Sequence, residues 1–152
     1  MNLATESLLA LYTRDLNKLA EELRQYPTEE SIWRVEHGIA NSAGNLCLHL
    51  CGNLQHFIGA VLGNSGYVRN REAEFAEKNI ARNLLLEEIE RTKAAIAKTL
   101  PALPHEQLHA VYPVEVFGKP MATVYFLMHL ATHLGYHLGQ VNYHRRLVGT
   151  GS

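Results

Sequence analysis

The sequence predicts an all-α protein, an antiparallel four-helix bundle in a single domain spanning residues 1–152. Four long stretches show apolar residues at helical spacing, and only one short segment has the composition of a strand. The chain has 152 residues, of which 47% are hydrophobic, and this is enough for one sizeable core. Because no internal repeat or shift in composition marks a second domain, a bundle with one long connection is the simplest architecture.

The first half of the chain contains two of the four helices. Leucines recur at helical spacing between charged residues over residues 6–23, which predicts an amphipathic helix that ends before Pro27. Residues 28–38 open with a threonine and two glutamates but are broken by Gly38, so we expect a short helix or a loop. Residues 42–62 are apolar almost all round, which indicates a helix buried on several sides.

The second half contains the other two helices and an arm. A charged connection over residues 67–75 precedes an amphipathic helix over residues 79–100, which Pro101 should stop. Residues 111–119 are rich in β-formers and turn residues, and they predict a small hairpin or extended arm. Pro120 suits the first position of the last helix, which should run to about Leu147 and end before Gly149 and Gly151.

Charge and apolar content exclude several classes of partner. The formal net charge is −1 and no basic block is present, so we expect no nucleic-acid partner. No apolar run is long enough to span a bilayer, and the first residues lack a basic leader, so we expect a cytoplasmic protein without a membrane anchor. Cys47 and Cys51 are the two cysteines, one helical turn apart, and we expect reduced, packed side chains.

Histidines are the most informative side chains. His129, His133, His137 and His144 follow one another at helical steps, so they share a stripe of roughly 100° on the last helix, where neighbouring imidazoles can grip one metal ion. The second helix has a narrow polar seam formed by Asn45, His49, Asn53 and His56, and His49 on this seam is the natural third ligand. Three imidazoles would leave a divalent ion an open position, as in catalytic sites. The alternative is that these histidines are core residues satisfied by polar neighbours.

Other candidates rank below these three. His56 lies on the same seam two turns from His49 and is the second choice for a ligand. His129 and His144 are expected beside the site, because a fourth imidazole would close it. The remaining polar side chains have a structural explanation as well as a functional one: orienting groups or core contacts for Asn53, Tyr136 and Gln140, and an anion site or solvated charges for Arg69 and Arg71.

The apolar back of the second helix also has two interpretations. Its residues are either core or the seam of a dimer; they are Cys47, Cys51, Leu54 and Ile58.

These motifs resemble a known family. His49-Leu50, then Gln55-His56-Phe57, and later His133-x-x-x-His137 ahead of Gly139-Gln140, are similar to the DinB/YfiT-like metalloprotein superfamily. The connection at residues 69–75 and the arm at residues 113–120 resemble one bacterial branch of it. The resemblance covers nearly the whole chain, and it implies an up-down-down-up bundle, a divalent-metal site at His49, His133 and His137, and a homodimer.

The resemblance also implies a kind of chemistry. Characterised relatives are S-transferases that use bacillithiol or mycothiol, and a mycothiol-dependent maleylpyruvate isomerase. We therefore expect an enzyme in which Zn, Ni, Fe or Mn activates a thiol or water against a small-molecule substrate, with a low-molecular-weight thiol as candidate cosubstrate. The competing hypothesis is a non-catalytic metal-binding or stress-related interaction protein with the same bundle.

Overall fold

The computed structural model describes residues 1–36 and 38–148. Within them the chain forms seven α-helices and one π-helical segment, with no β-strand longer than a single bridge. The helices are α1 (Leu3–Gln25), α2 (Glu29–Ile32), α3 (Ala43–Leu54) continued by the π-helical segment (Gln55–Ala60), α4 (Arg71–Ala76), α5 (Arg82–Ala102), α6 (His105–His109) and α7 (Thr123–Val148).

The four long helices form the predicted bundle. α1 and α3 each pack against both α5 and α7, so α1 and α3 are diagonal partners. The end of α1 meets the start of α5, where Arg82 Nη2 donates to Tyr26 O at 2.7 Å. α3 and α5 run in parallel, since Gln55 contacts Glu88 early in α5 and Gly59 lies beside Ala95 further along.

The last helix completes the topology. Tyr12 OH donates to Leu127 O at 2.5 Å, and Tyr26 lies beside His144, so α7 runs parallel to α1. The order is therefore up, down, down, up, as predicted. Two parallel neighbours in succession require a long crossover, and residues 61–81 provide it between the end of α3 and the start of α5.

Capping residues explain where the helices begin. α1 starts earlier than predicted because Asn2 Oδ1 accepts from Thr5 N at 2.9 Å, which satisfies one of the free amides of the first turn. Thr28 caps α2 in the same way, and Ser42 caps α3. The predicted short helix within residues 28–38 and the start of the second long helix are thus confirmed.

The back face of α3 is core. Cys47, Cys51, Leu54 and Ile58 are at most 1% exposed within one chain, so their interpretation as a dimer seam is wrong. Both thiols are free. A hydrogen bond to Cys51 and burial raise the pKa of the Cys47 thiol well above its ordinary value, as expected for packed, unreactive cysteines.

Three predicted helix ends are displaced. α5 begins at Arg82 rather than at residue 79, because Asn79 adopts a left-handed conformation with φ of 60°. It also runs past Pro101 to Ala102, so this proline, which donates no backbone hydrogen bond, occupies the last turn of the helix instead of following it. α7 begins at Thr123 rather than Pro120. The predicted stop before Gly149 and Gly151 lies outside the described residues.

The arm before α7 explains that late start. Tyr112 N donates to Met121 O at 2.8 Å, and Thr123 N donates to Ala110 O at 2.9 Å, closing the bridge between Val111 and Ala122. These pairings hold residues 121 and 122 in extended backbone, so the helix starts after them. The predicted arm is present as this single bridged loop.

The end of α3 is wider than an α-helix. Val61 N bonds to His56 O and Gly63 N bonds to Ile58 O, which is the five-residue spacing of a π-helix. Tyr112 OH donates to Phe57 O at 2.6 Å, and this bond anchors the arm on the wide turn.

Among the described residues, no helix combines the length and apolar character that a bilayer span needs.

Tyr26 and His144 provide a test of bundle stability. His144 Nε2 donates to Arg34 O at 2.8 Å, so its Nδ1 accepts from Tyr26 OH at 2.6 Å. We expect Tyr26→Phe to lower the free energy of unfolding by about 1–3 kcal/mol, because a buried acceptor loses its donor. Urea unfolding measures this; Tyr125→Phe, at a side chain 60% exposed, is the control. Equal losses in both variants would contradict the expectation.

Candidate metal centre

Three predicted histidines meet between α3 and α7. His49 Nε2 lies 3.2 Å from His133 Nε2, and His137 Nε2 lies 3.2 Å from the same atom. One ligand nitrogen from each of the three lies within 4.8 Å of the others. His49 is buried, and His133 and His137 are half-buried, so the cluster is reached from one side.

Two of the imidazoles are oriented through their other ring nitrogen. His49 Nδ1 lies 3.1 Å from Glu74 Oε1, and a carboxylate can only accept, so Nδ1 carries the proton. His137 Nδ1 lies 2.7 Å from Gln140 Oε1 and donates to it in the same way. In the neutral form of each ring this leaves Nε2 unprotonated and directed at the centre, which is the form that binds metal.

This arrangement fits a shared cation better than a hydrogen-bonded cluster. His133 Nε2 faces two lone pairs, from His49 and His137, yet a ring nitrogen carries at most one proton and can donate in only one direction. Nitrogens bound tetrahedrally to zinc at about 2.0–2.1 Å are separated by about 3.3 Å, close to the 3.2 Å found here. The donor set thus suits a divalent ion such as zinc, nickel or iron.

The protonation of the site is consistent with this role. Burial, and then the neighbouring His137 and His49, lower the pKa of His133 to about 4. Burial also lowers the pKa of His137, although the hydrogen bond to Gln140 acts in the opposite direction. Both imidazoles are therefore neutral at neutral pH and available as ligands.

Glu74 is a residue of the candidate site that the sequence did not reveal. It lies on α4, within the connection predicted as a charged loop, and its side chain is 6% exposed. Arg69 forms a two-pronged ion pair with it, Nε to Oε2 at 2.9 Å and Nη2 to Oε1 at 3.0 Å. Burial alone would raise the pKa of Glu74, but hydrogen bonds from His49 and Arg69 outweigh it and hold this pKa below its ordinary value.

Arg69 is neither an anion site nor a solvated charge, the two interpretations open from the sequence. Its side chain is 12% exposed, paired with Glu74, and its guanidinium lies 5.7 Å from the centroid of the Phe57 ring. Its Nη2 is also 3.4 Å from His49 Nδ1, a contact between two donors. Arg71 lies over the Phe75 ring and is exposed.

The other candidate histidines are not part of the cluster. His56 is half-buried and packs on Phe57, so the structure does not support it as an alternative ligand. His129 stacks beside His133 at a ring distance of 6.5 Å, next to the site as predicted. His144 belongs to the contact with Tyr26 instead, two turns beyond His137.

Aromatic rings surround the arm side of the cluster. Phe57, Phe117 and Phe126 contact one another or His129 at ring distances of 4.9–5.9 Å. The arm supplies Phe117, the π-helical segment supplies Phe57, and α7 supplies the others. Tyr136, by contrast, is 67% exposed and touches His137 only at its edge.

A second histidine pair lies on α6, where His105-Glu106-Gln107-Leu108-His109 has the spacing of a zinc-protease helix. The two Nε2 atoms are 3.3 Å apart. Asn2 Nδ2 donates to His105 Nδ1 at 2.8 Å, so His105 carries its proton on Nε2 and donates it to His109. The pair is exposed and hydrogen-bonded, so it is a suitable control for surface binding of metal.

Comparison with known proteins places the chain in a family. A family model described as "Protein of unknown function (DUF1572)" matches residues 6–151. The chain belongs to this family. No curated protein matches this DUF1572 chain.

A solved structure confirms the predicted fold. The DUF1572 chain is similar to a DinB-like protein from Bacillus cereus, with 18% sequence identity and a TM-score of 0.74 over 95% of this chain and 92% of that chain. At this identity the likeness shows the fold alone. The DinB-like fold and the four-helix bundle expected from the sequence are thereby confirmed.

Gly52 provides a test of the link between α3 and α4. A Cβ at this position would lie 1.9 Å from Glu74 Oε2, so a side chain here must displace the carboxylate from His49. We expect Gly52→Ala to weaken zinc binding by about 10–100-fold, the usual effect of losing a ligand's hydrogen-bond partner. Competition with a chromophoric chelator measures the affinity.

The matched control for Gly52→Ala is Gly139→Ala on α7, where a Cβ meets nothing within 4 Å. It makes the same chemical change in a helix that carries two of the three histidines. Equal zinc affinity in Gly52→Ala and Gly139→Ala would show that the Glu74 carboxylate does not support the site.

Proposed function

We propose that this DUF1572 protein is a metal-dependent enzyme that holds one divalent ion through His49, His133 and His137. It uses the ion to activate a thiol or a water molecule against a small electrophile, which makes it a transferase or a hydrolase. The observation that carries the proposal is the convergence of two unprotonated Nε2 atoms on a third, 3.2 Å away in each case.

Besides holding the ion, the protein's own residues have two tasks in this proposal. Glu74 and Gln140 hold His49 and His137 in the tautomer that can coordinate, through hydrogen bonds of 3.1 and 2.7 Å. Arg69 compensates the buried charge of Glu74. A divalent ion held by these three imidazoles would act as a Lewis acid and lower the pKa of a thiol or water molecule bound to it.

The aromatic cluster supports a small, partly apolar substrate. Phe57, Phe117 and Phe126 lie on the arm side of the histidines together with His129. Rings at this place can pack against the apolar body of an electrophile and reduce the water content of the site. The charge of Arg69 is paired with Glu74 and so is not free to bind an anionic group. We therefore expect an uncharged substrate.

Cobalt-loaded protein tests the proposal. We expect one cobalt per chain and a change in its visible absorption when low-molecular-weight thiols are added, in the wild type but not in His133→Gln. Turnover is then assayed with epoxides, alkyl halides and esters, with thiol present or absent. A thiol response and thiol-dependent loss of electrophile support transfer, whereas ester cleavage without thiol supports hydrolysis. Full cobalt loading with neither response nor turnover would contradict the enzymatic proposal.

A further inference from the structure

Two buried polar atoms near the metal centre have no hydrogen-bond partner. Among the described residues, the buried side-chain nitrogen and oxygen atoms without one are Asn53 Oδ1, His133 Nδ1 and Arg82 Nε. Arg82 lies at the start of α5, against the end of α1. Asn53 and His133 lie on the facing helices α3 and α7. Because buried polar groups are almost always paired, these two require an explanation.

The two atoms have complementary chemistry. His133 directs Nε2 toward His49 and His137, so when Nε2 coordinates an ion the ring carries its proton on Nδ1. That Nδ1–H is then a buried donor without an acceptor. Asn53 Oδ1 is a buried acceptor without a donor, on a residue 7% exposed.

Their positions along the two helices also agree. Asn53 lies one turn after His49 on α3 and one turn before Phe57, which belongs to the π-helical segment that continues α3. Across the interface His49 contacts His133, and Phe57 contacts Phe126 at a ring distance of 5.1 Å. Asn53 therefore lies opposite the stretch of α7 that ends at His133.

The direction of the side chains brings them closer. Helical side chains lean toward the N-terminus of their own helix. Since α3 and α7 are antiparallel, Asn53 leans toward the level of His49, and His133 leans toward the level of Phe126. The two side chains therefore lean toward each other along the interface, and neither Asn53 Oδ1 nor His133 Nδ1 has a hydrogen-bond partner there.

We propose that Asn53 is the positioning residue of His133, accepting the Nδ1–H of this imidazole when Nε2 coordinates the ion. This inference rests on the proposed metal site. It gives every ligand an oxygen acceptor behind it: Glu74 for His49, Gln140 for His137 and Asn53 for His133. All three acceptors come from different elements or turns, so together they fix the three ring planes.

Nuclear magnetic resonance of zinc-loaded protein with labelled histidine tests this contact. In the wild type we expect the Nδ1–H of His133 to exchange slowly with water, as a hydrogen-bonded ring proton does. Asn53→Leu keeps the volume but removes the acceptor, so the signal should broaden or vanish and zinc affinity should fall by about 10-fold. Asn53→Asp restores an acceptor and should restore the slow exchange.

Each outcome decides whether Asn53 accepts the Nδ1–H of His133. A wild type that binds zinc with a rapidly exchanging His133 Nδ1–H overturns the inference, even if Asn53→Leu does not fold. Unchanged exchange and affinity in Asn53→Leu overturn it as well. A cobalt spectrum altered by Asn53→Leu while the His133 proton stays protected would instead place Asn53 beside the open position and also overturn it. A wild type that binds no zinc contradicts the proposed function itself, which separates the two failures.

Discussion

His133→Gln is expected to abolish tight metal binding while leaving the bundle folded. His133 Nε2 is the atom shared by both 3.2 Å contacts, so its loss leaves two ligands that no longer converge on one point. Loss of the hydrogen-bond partner of a metal ligand already costs about 10–100-fold in metal affinity. We expect loss of the ligand itself to cost more than about 100-fold.

The measurement is thermal unfolding with and without zinc. An ion present at about 100 times its dissociation constant stabilises the folded state by about 2.7 kcal/mol, and this increment should vanish in His133→Gln. Without zinc, the variant should unfold within about 1 kcal/mol of the wild type, since His133 Nδ1 makes no hydrogen bond and Nε2 can donate to only one of its two neighbours. His129→Gln, on the same stripe but outside the cluster, should keep the increment. A zinc increment in His133→Gln equal to the wild type's would refute the assignment.

Glu74→Leu is expected to have the second largest effect, because it acts on both the fold and the site. It leaves the Arg69 guanidinium, 12% exposed, without its partner. Breaking a buried ion pair from one side costs about 3–5 kcal/mol. His49 also loses its acceptor, so zinc affinity should fall by about 10–100-fold.

A double variant separates these two effects. Arg69→Met combined with Glu74→Leu removes both charges, so it should recover much of the stability of the metal-free protein. Its zinc affinity should stay low, since His49 still lacks an acceptor. Glu72→Gln, an exposed neighbour on α4, is the control and should change neither quantity. Full recovery of zinc affinity in the double variant would show that Glu74 acts only through Arg69.

The sequence predicts the bundle and the grouping of the three histidines because both depend on periodicity. Helical spacing determines which face of α7 carries His133 and His137, and the polar seam of α3 identifies His49. The structure brings these three together; their role as metal ligands remains a prediction. Gln140 was also a candidate, and its contact with His137 follows from a separation of three residues along one helix.

Glu74 could not be predicted because its position depends on tertiary packing. The short helix α4 is capped by Asn70, a signal that the sequence contains, but a six-residue helix can dock with any face inward. Gly52 was the only local sign, since a glycine inside an apolar helix often marks a close approach. The predicted start of α7 at Pro120 was wrong for a similar reason. The bridge between Val111 and Ala122 holds this segment in extended backbone and so competes with helix formation.

The most direct test of the metal centre is a crystal structure of protein prepared without a histidine tag and grown with zinc, with anomalous scattering measured on both sides of the zinc edge. We predict one strong peak between the Nε2 atoms of His49, His133 and His137, at about 2.0–2.1 Å from each, which is absent in His133→Gln. A weaker peak at the exposed pair His105 and His109 would represent surface binding and should disappear in His105→Gln. Zinc at that surface pair, with none between the three histidines, would contradict the account.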